Sequence, residues 1–158
     1  MLLAGDIGGT NTRLALYEDL GRPPLREETL SSRAFASFEL ALRTFLGAKP
    51  PRIASAAFGI AGPVVGGRVK TTNLPWQLDE VKLSRALKIP RVRLLNDLVA
   101  IAFGASVAKG PMLAKLQGVR GPASRGSSRR ATIAVVAAGT GLGEAALVWD
   151  GADRKSVV

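Results

Sequence analysis

The 158-residue chain contains no cysteine and no histidine, and each absence excludes a class of chemistry. Without cysteine the chain can form neither a disulfide nor a thiolate metal site. Without histidine it lacks the commonest metal ligand and general base. Any acid–base chemistry must therefore use carboxylates.

Long apolar runs are also missing. No run approaches the roughly 18 residues that a membrane-spanning helix needs, and the N-terminus lacks the basic and then apolar segments of a signal peptide. Hydrophobic residues make up 47% of the sequence and charged residues 22%, as in an ordinary globular protein. We therefore expect a cytoplasmic protein with no membrane partner, long enough for one domain or for one domain and the beginning of another.

Acidic residues are the minority, 12 against 22 Lys and Arg, which gives a net charge of +10. Many basic residues crowd one segment that is also rich in glycine and serine and has no aromatic residue: Lys109, Lys115, Arg120, Arg125, Arg129 and Arg130. A polyanion would suit such a segment, but the aromatic stacking platforms of nucleic-acid sites are missing. A solvated basic loop is the plainer interpretation, and we expect no nucleic-acid partner.

A glycine-rich stretch near the N-terminus, residues 5–12, lies between two apolar runs that predict strands. Gly8 and Gly9 are expected to supply a hairpin turn that other residues cannot adopt. The same glycines would let backbone N–H groups converge on a phosphate, with Thr10 and Asn11 as further donors. Asp6, half-buried at the end of its strand, would suit a cation such as hydrated Mg²⁺. A plain hairpin in which Asp6 caps its own turn is the alternative.

The rest of the chain alternates strands and helices, which predicts an α/β fold. Its mixed sheet is expected to begin with an antiparallel meander over 2–7, 12–18 and 25–32 and to continue with parallel strands over 52–60, buried on both faces, and 92–95. Helices are predicted from Phe38 to Leu46, from Asp79 to about Leu87 and from Leu98 to Ala105, and a small hairpin within 64–70. Trp76 is expected to be a core anchor.

A second strand–glycine–strand pattern repeats the first in form. Strands are predicted over 133–138 and 144–149, with a turn between them that contains Gly139, Thr140, Gly141 and Gly143. Alone, this turn is a weak signal. Together the two turns suggest pseudo-equivalent halves that hold phosphates between them.

Asn96 and Asp97 come where a predicted strand meets a helix, and the carboxyl ends of strands line the ligand crevice in open α/β sheets. A carboxylate there can accept the proton of a hydroxyl that attacks phosphorus, while Asn96 holds a neighbouring hydroxyl. The structural alternative is that Asp97 only caps its helix. Asn73 lies on a polar loop just before Trp76.

Five motifs together resemble the bacterial glucokinase family, in that family's order and at its approximate spacing: Asp6-Ile7-Gly8-Gly9-Thr10-Asn11, Phe58-Gly59-Ile60-Ala61-Gly62-Pro63, Thr72-Asn73-Leu74-Pro75-Trp76, Leu95-Asn96-Asp97 and Gly139-Thr140-Gly141-Leu142-Gly143. The resemblance implies the ribonuclease-H-like (actin-like ATPase) fold of sugar kinases. It also implies phosphorylation of glucose at its 6-hydroxyl by ATP with Mg²⁺, in the cytoplasm.

The resemblance implies a role for each matching residue. Asp97 corresponds to the catalytic base, Asn96 to a sugar-binding residue, and Asn73 lies on the loop that borders the sugar cleft. The ATP-binding residues would be Asp6, Gly8, Gly9, Thr10 and Asn11 in the first turn and Gly139, Thr140, Gly141 and Gly143 in the second. Asp6 would hold Mg²⁺ through water.

The chain also departs from the family. Shortly after the second glycine turn the family has a Glu and a His that hold the sugar, whereas this chain reaches Val158 without any His. We therefore expect an incomplete version of such a kinase, with a homodimer conceivable for the full-length form. A non-catalytic nucleotide or sugar sensor of the same fold is the alternative.

The expected organisation has four parts. Residues 1–110 form a small domain with the first phosphate motif and the catalytic Asp, and 111–130 form the basic loop. Residues 131–150 begin a large domain with the second motif. The tail, 151–158, has no recognisable structural pattern.

Overall fold

The computed structural model describes residues 1–71, 73–114, 116, 131–138 and 142–157. Contacts divide the chain into two compact units, Met1–Asp97 and Leu98–Val158. Most of the predicted basic loop and most of the second glycine turn lie outside the described residues. In the described part of the chain, no helix is long and apolar enough to cross a membrane.

The first unit is built on a five-stranded mixed sheet with three helical or hairpin insertions. Its elements are β1 (Leu2–Ile7), β2 (Asn11–Tyr17), β3 (Arg26–Ser31), α1 (Phe38–Leu46), β4 (Ser55–Ile60), β5 (Arg68–Lys70), β6 (Gln77–Asp79), α2 (Glu80–Leu87) and β7 (Arg91–Asn96). The strand order is β3-β2-β1-β4-β7, with β5 and β6 apart as a two-stranded sheet. β1, β2 and β3 pair antiparallel, and β4 and β7 run parallel to β1. The predicted α/β class and mixed sheet are confirmed.

The core lies on the face of the sheet that carries alternate residues such as Leu3, Leu14 and Phe58, all at most 2% exposed. Phe38 of α1 packs edge-on against Phe58 with ring centroids 4.9 Å apart, so α1 covers this face. Trp76 lies 5.7 Å from the Phe38 ring and is 2% exposed, which confirms it as a core anchor.

The expectation that β4 is buried on both faces is wrong. Ala56, Phe58 and Ile60 are buried on one face, whereas on the other face Ala57 is exposed and only Gly59 is buried. The apolar character of Ala57 hid the alternation in the sequence. The small hairpin predicted within 64–70 is confirmed, because Val65 and Arg68 exchange two backbone hydrogen bonds at 2.9 and 3.0 Å. Arg68–Lys70 also pairs with Gln77–Asp79, a strand that was not predicted.

Both helices of the first unit are capped by the residues before them. The Ser37 hydroxyl accepts a hydrogen bond from the Leu40 amide at 3.3 Å, and Gly47 ends α1 with φ 75°. The Asp79 carboxylate accepts the amides of Val81 and Lys82 at 2.8 and 3.0 Å. The Lys82 amide is the main cause, with the Arg68 guanidinium and the Val81 amide, of a pKa for Asp79 below its ordinary value.

The second unit contains α3 (Asp97–Val107), whose first residue belongs to the first unit, and an antiparallel sheet of β8 (Ile133–Ala138), β9 (Leu142–Trp149) and β10 (Arg154–Val157). The tail, in which no structural pattern was recognised, contains β10, which pairs with β9 along its whole length. Asp150 makes the turn: its carboxylate accepts the Ala152 and Asp153 amides, and Gly151 adopts φ 106°.

Candidate active site

The first glycine turn joins β1 to β2 and is closed by a hydrogen bond from the Gly8 amide to the Asn11 carbonyl at 3.0 Å. The expectation that other residues cannot adopt this turn agrees with the structure, but neither Gly8 nor Gly9 has a positive φ. They are needed for close approach. A Cβ on Gly8 would lie 2.9 Å from the Asn11 carbonyl oxygen, and one on Gly9 would lie 3.0 Å from the Asn73 Cβ.

The closing hydrogen bond also changes which groups can bind an anion. The Gly8 amide already donates to the Asn11 carbonyl, so its predicted contact with phosphate would need a shared hydrogen bond. The amides of Gly9 and Thr10 make no hydrogen bond within the described part of the chain, and the side chains of Thr10 and Asn11 are exposed. The groups that remain to donate to an anion lie at residues 9–11, and phosphate binding by this turn stays a prediction.

Two buried hydroxyl side chains, Thr12 and Ser32, stabilise the turn through hydrogen bonds. The Ser32 hydroxyl donates to the Gly8 carbonyl at 2.7 Å and lies 2.8 Å from the Thr12 hydroxyl. Because Ser32 has a single hydroxyl proton, Thr12 is the donor in their shared hydrogen bond. The Ser32 amide donates to the Thr10 carbonyl at 2.8 Å. Thr12 is 0% and Ser32 1% exposed, so this is a fully enclosed support.

Sequence analysis missed Ser32 altogether. One signal was present: Thr12 occupies the same inward-facing row of β2 as Leu14 and Leu16. A polar residue in an apolar row needs a buried partner. The sequence does not show which of the distant hydroxyls is that partner.

Asp6 is the last polar residue of β1, opposite Arg13 in the strand register. The expectation that it is half-buried is wrong, because its side chain is exposed. A solvent-facing carboxylate fits a magnesium ion that keeps most of its water ligands. Among the described residues, no group of three acidic side chains could hold a metal directly.

Asn73 lies beside the glycine turn, as the approach of its side chain to Gly9 shows. The two bound a small cleft of about 20 Å³, room for about one water molecule, whose walls include Ile60 and Ala61 at the end of β4. The loop is held firmly: Thr71 donates to the carbonyls of Leu74 and Trp76 at 2.7 and 3.1 Å. The structure thus brings Asn73 and the first glycine turn together.

Asn96 and Asp97 follow the same edge of the sheet. Ile7, Ile60 and Asn96 are direct neighbours in the parallel register, so the carboxyl ends of β1, β4 and β7 meet here. The side-chain amide of Asn96 donates a hydrogen bond from Nδ2 to the Gly62 carbonyl at 3.1 Å, which connects β7 to the loop after β4. Asp97 is half-buried and is the first residue of α3.

Glu80 supports the strand that ends at Asn96. Its carboxylate accepts the Leu94 amide at 2.8 Å and pairs with Arg93 at 3.3 Å. Its own amide donates to the Gly67 carbonyl at 3.0 Å. The start of α2 is therefore fastened to β7 two residues before the candidate sugar-binding position.

The second glycine turn is only partly described. Gly139, Thr140 and Gly141 lie outside the described residues. Gly143 lies in β9 opposite Ala137, and a Cβ there would fall 2.5 Å from the Leu98 Cδ2 atom. Close packing against α3 accounts for this glycine, and its role in binding phosphate stays a prediction.

Comparisons with known proteins identify the family to which the chain belongs. A sequence model of the glucokinase family matches residues 3–158. The chain belongs to the glucokinase family. Two curated glucokinases illustrate the relationship: that of Nostoc sp. is 38% identical over 157 residues, and that of Aromatoleum aromaticum is 36% identical over 150.

Solved glucokinases share the fold. The chain matches a glucokinase from an Antarctic psychrotroph with a TM-score of 0.74 and 30% identity. It matches the glucokinase of Balamuthia mandrillaris, solved in complex with glucose, with a TM-score of 0.63 and 26% identity. A ROK family glucokinase from Streptomyces griseus, solved with glucose and AMPPNP, has a TM-score of 0.62 at 17% identity and shows the fold alone.

Coverage differs between the partners of these comparisons. The match to the Nostoc glucokinase takes in 96% of this chain and 44% of that protein. The structural match to the psychrotroph glucokinase takes in 99% of this chain and 48% of the other. The chain therefore spans a little under half the length of the glucokinases that it matches.

Proposed function

We propose that the chain carries the hexose-binding and first phosphate-binding elements of an ATP-dependent glucokinase. One observation carries the proposal: the carboxyl ends of β1, β4 and β7 meet at one edge of the first unit. That edge joins a glycine turn with available amides to Asn73, Asn96 and Asp97. The fold we propose is the ribonuclease-H-like fold of actin-like ATPases, in agreement with the mixed sheet and the sugar-kinase neighbours.

The proposed chemistry is transfer of the γ-phosphoryl group of ATP to the 6-hydroxyl of glucose. Asp97 accepts the hydroxyl proton as the sugar oxygen attacks phosphorus, and Asn96 and Asn73 hold neighbouring hydroxyls. The amides of Gly9 and Thr10 orient phosphate oxygens. Most of the rate enhancement comes from alignment and from stabilising charge, as is usual for phosphoryl transfer.

Mg²⁺ would neutralise phosphate charge when bound, and Asp6 would hold it through water. The second glycine turn, Gly139 to Gly143, is proposed to contribute further phosphate contacts. The solved glucokinase of Balamuthia mandrillaris is in complex with glucose, which supports a hexose as the first ligand to test.

A sensor that binds nucleotide or sugar without turnover is the second candidate, because the same edge of the first unit would serve binding alone. The cytoplasmic location, the absence of a nucleic-acid or membrane partner and a homodimer of the full-length form stay predictions.

The test combines binding with turnover. Calorimetric titration of the chain with glucose and with ATP–Mg²⁺ measures the two affinities, and a coupled assay measures phosphorylation. Asp97→Asn should keep glucose affinity while any turnover falls by about 10²- to 10⁴-fold, the usual contribution of a general base. Asp19→Asn, in an exposed turn after β2, is the matched control.

Binding without turnover in the unaltered chain would favour the sensor. Absence of both glucose and nucleotide binding by the folded chain would contradict both candidates.

A further inference from the structure

A groove of about 920 Å³ lies at the end of the first unit opposite the candidate active site. Its walls are the C-terminal ends of α1 and α2 and the loop that leads into β4. β4 and β7 begin near this groove, whereas their carboxyl ends form the proposed active site. The proposed kinase activity makes no use of it.

Three cations from three separate segments line the groove: Arg43, Arg52 and Lys88. The groove has no acidic lining residue, and none of the three side chains forms an ion pair within the described part of the chain. The neighbouring surface hollow around Arg68 differs, because Asp79 pairs with Arg68 at 2.8 Å. The groove's positive charge is not neutralised in this way.

The helix ends at the groove do not cancel this charge. Each helix C-terminus carries about half a negative charge, so two together offset about one of the three cations. Arg43 in the last turn of α1 and Lys88 at the end of α2 are natural partners for those ends. Arg52 belongs to neither helix, and a surplus of about two positive charges is left.

The floor and one wall of the groove are formed by residues whose positions are restricted. Ile53 is 5% exposed, and Leu46 and Leu87 pack against the main core, so the floor is apolar. Pro50 and Pro51 fix the backbone of one wall because proline restricts φ. An apolar floor with a few polar groups at its rim is typical of small-molecule sites, and the volume falls in their usual range.

We propose that this groove binds a small molecule with at least two phosphate groups on a carbon skeleton. The guanidinium groups of Arg43 and Arg52 suit bidentate contacts with phosphate oxygens, and Lys88 adds a point charge. The apolar floor accepts the carbon skeleton. A nucleic acid fits less well, because the lining contains no aromatic side chain on which a base would stack.

The test is calorimetric titration of the whole chain with fructose bisphosphate, with unphosphorylated fructose as the uncharged control. Binding should be measurable at low ionic strength and weaken at about 0.15 M salt, where charges are screened beyond about 8 Å. Arg52→Gln and Lys88→Gln should each weaken affinity about three- to tenfold. Lys49→Gln is the matched control, because Lys49 lies in the same loop but does not line the groove.

The variants are all at exposed positions, and circular dichroism would verify that they fold. Equal affinity in the Arg52→Gln, Lys88→Gln and Lys49→Gln variants would overturn the proposal, as would the absence of measurable heat at low salt. Loss of fructose bisphosphate binding in Thr10→Ala, with Arg52→Gln unaffected, would also overturn it by placing the ligand at the glycine turn. Tighter binding of a single-stranded oligonucleotide at the same cations would replace it with a nucleic-acid site.

Discussion

Replacing Ser32 by alanine tests whether the buried hydroxyl pair really fixes the first glycine turn. In the native chain every buried side-chain nitrogen and oxygen of the described residues has a hydrogen-bond partner. Ser32→Ala removes the donor to the Gly8 carbonyl and the acceptor of the Thr12 hydroxyl, both now at 2.7–2.8 Å. The variant therefore leaves a fully buried hydroxyl without an acceptor.

The expected loss is large for so small a change. A lost hydrogen bond costs about 1 kcal/mol and a buried unsatisfied polar group about 1–3 kcal/mol, so the free energy of unfolding should fall by about 2–4 kcal/mol. Ser84→Ala is the matched control: Ser84 donates one hydrogen bond to the Ile89 carbonyl at 2.7 Å from a half-buried position. Its loss should be about 0.5–1.5 kcal/mol.

Urea unfolding followed by tryptophan fluorescence measures both losses. The chain has two tryptophans, Trp76 in the first unit and Trp149 in the second, so a Trp149→Phe background reports on the first unit alone. Thr12→Val combined with Ser32→Ala should cost less than the sum of the two single changes, because no unsatisfied hydroxyl is left. A Ser32→Ala loss no larger than that of Ser84→Ala, or strict additivity with Thr12→Val, would refute the reasoning.

Two further changes test the turn and the second helix cap. Gly8→Ala should destabilise the chain by about 1–3 kcal/mol, because its Cβ would fall 2.9 Å from a backbone oxygen. Gly104→Ala, in an open stretch of α3, should stabilise it by about 0.5–1 kcal/mol. Urea unfolding should show changes in the free energy of unfolding that have opposite signs for the two variants, and changes of the same sign would contradict the prediction. Asp79→Ala should lower the melting temperature at neutral pH. Since the pKa of Asp79 is lowered in the folded state, its stabilising effect is present above about pH 4 and is lost as the pH falls through the folded pKa. The gap in melting temperature between wild type and Asp79→Ala should therefore narrow below about pH 4. A gap that stays constant with pH would be inconsistent with this assignment.

Most of the fold of the first unit could be predicted from the sequence, because local sequence patterns and tertiary packing favour the same elements there. The helix from Phe38 to Leu46, the start of the second helix at Asp79 and the core position of Trp76 were each predicted, and the structure has all three. β4 was misjudged because Ala57 is apolar yet exposed, and burial on two faces cannot be told from one when the outward residues are small. β10 was missed because charged residues such as Arg154 and Lys155 conceal a strand that is held mainly by pairing with β9.

At the candidate site, residue types could be predicted but the reasons for them could not. Gly8 and Gly9 were expected to form a turn that other residues cannot adopt, but the reason for it was not visible. Gly8 closely approaches the Asn11 carbonyl, and Gly9 approaches Asn73, which is distant in sequence. Ser32 was missed because its partners are also distant in sequence: Gly8 is 24 residues away and Thr12 is 20 residues away. Contacts of this range depend on the strand order, which the sequence pattern specifies only coarsely.

The Glu80 contact has a consequence for behaviour in concentrated solution. β7 is the last strand of its sheet among the described elements, and an outer strand with free amides can recruit a strand of another molecule. By accepting the outward Leu94 amide, the Glu80 carboxylate occupies one of the positions that such an intruding strand would need. The neighbouring Arg93 adds charge to the same border. The hydrogen bond between Glu80 and Leu94, which holds α2 beside the site, thus also disfavours edge-to-edge aggregation.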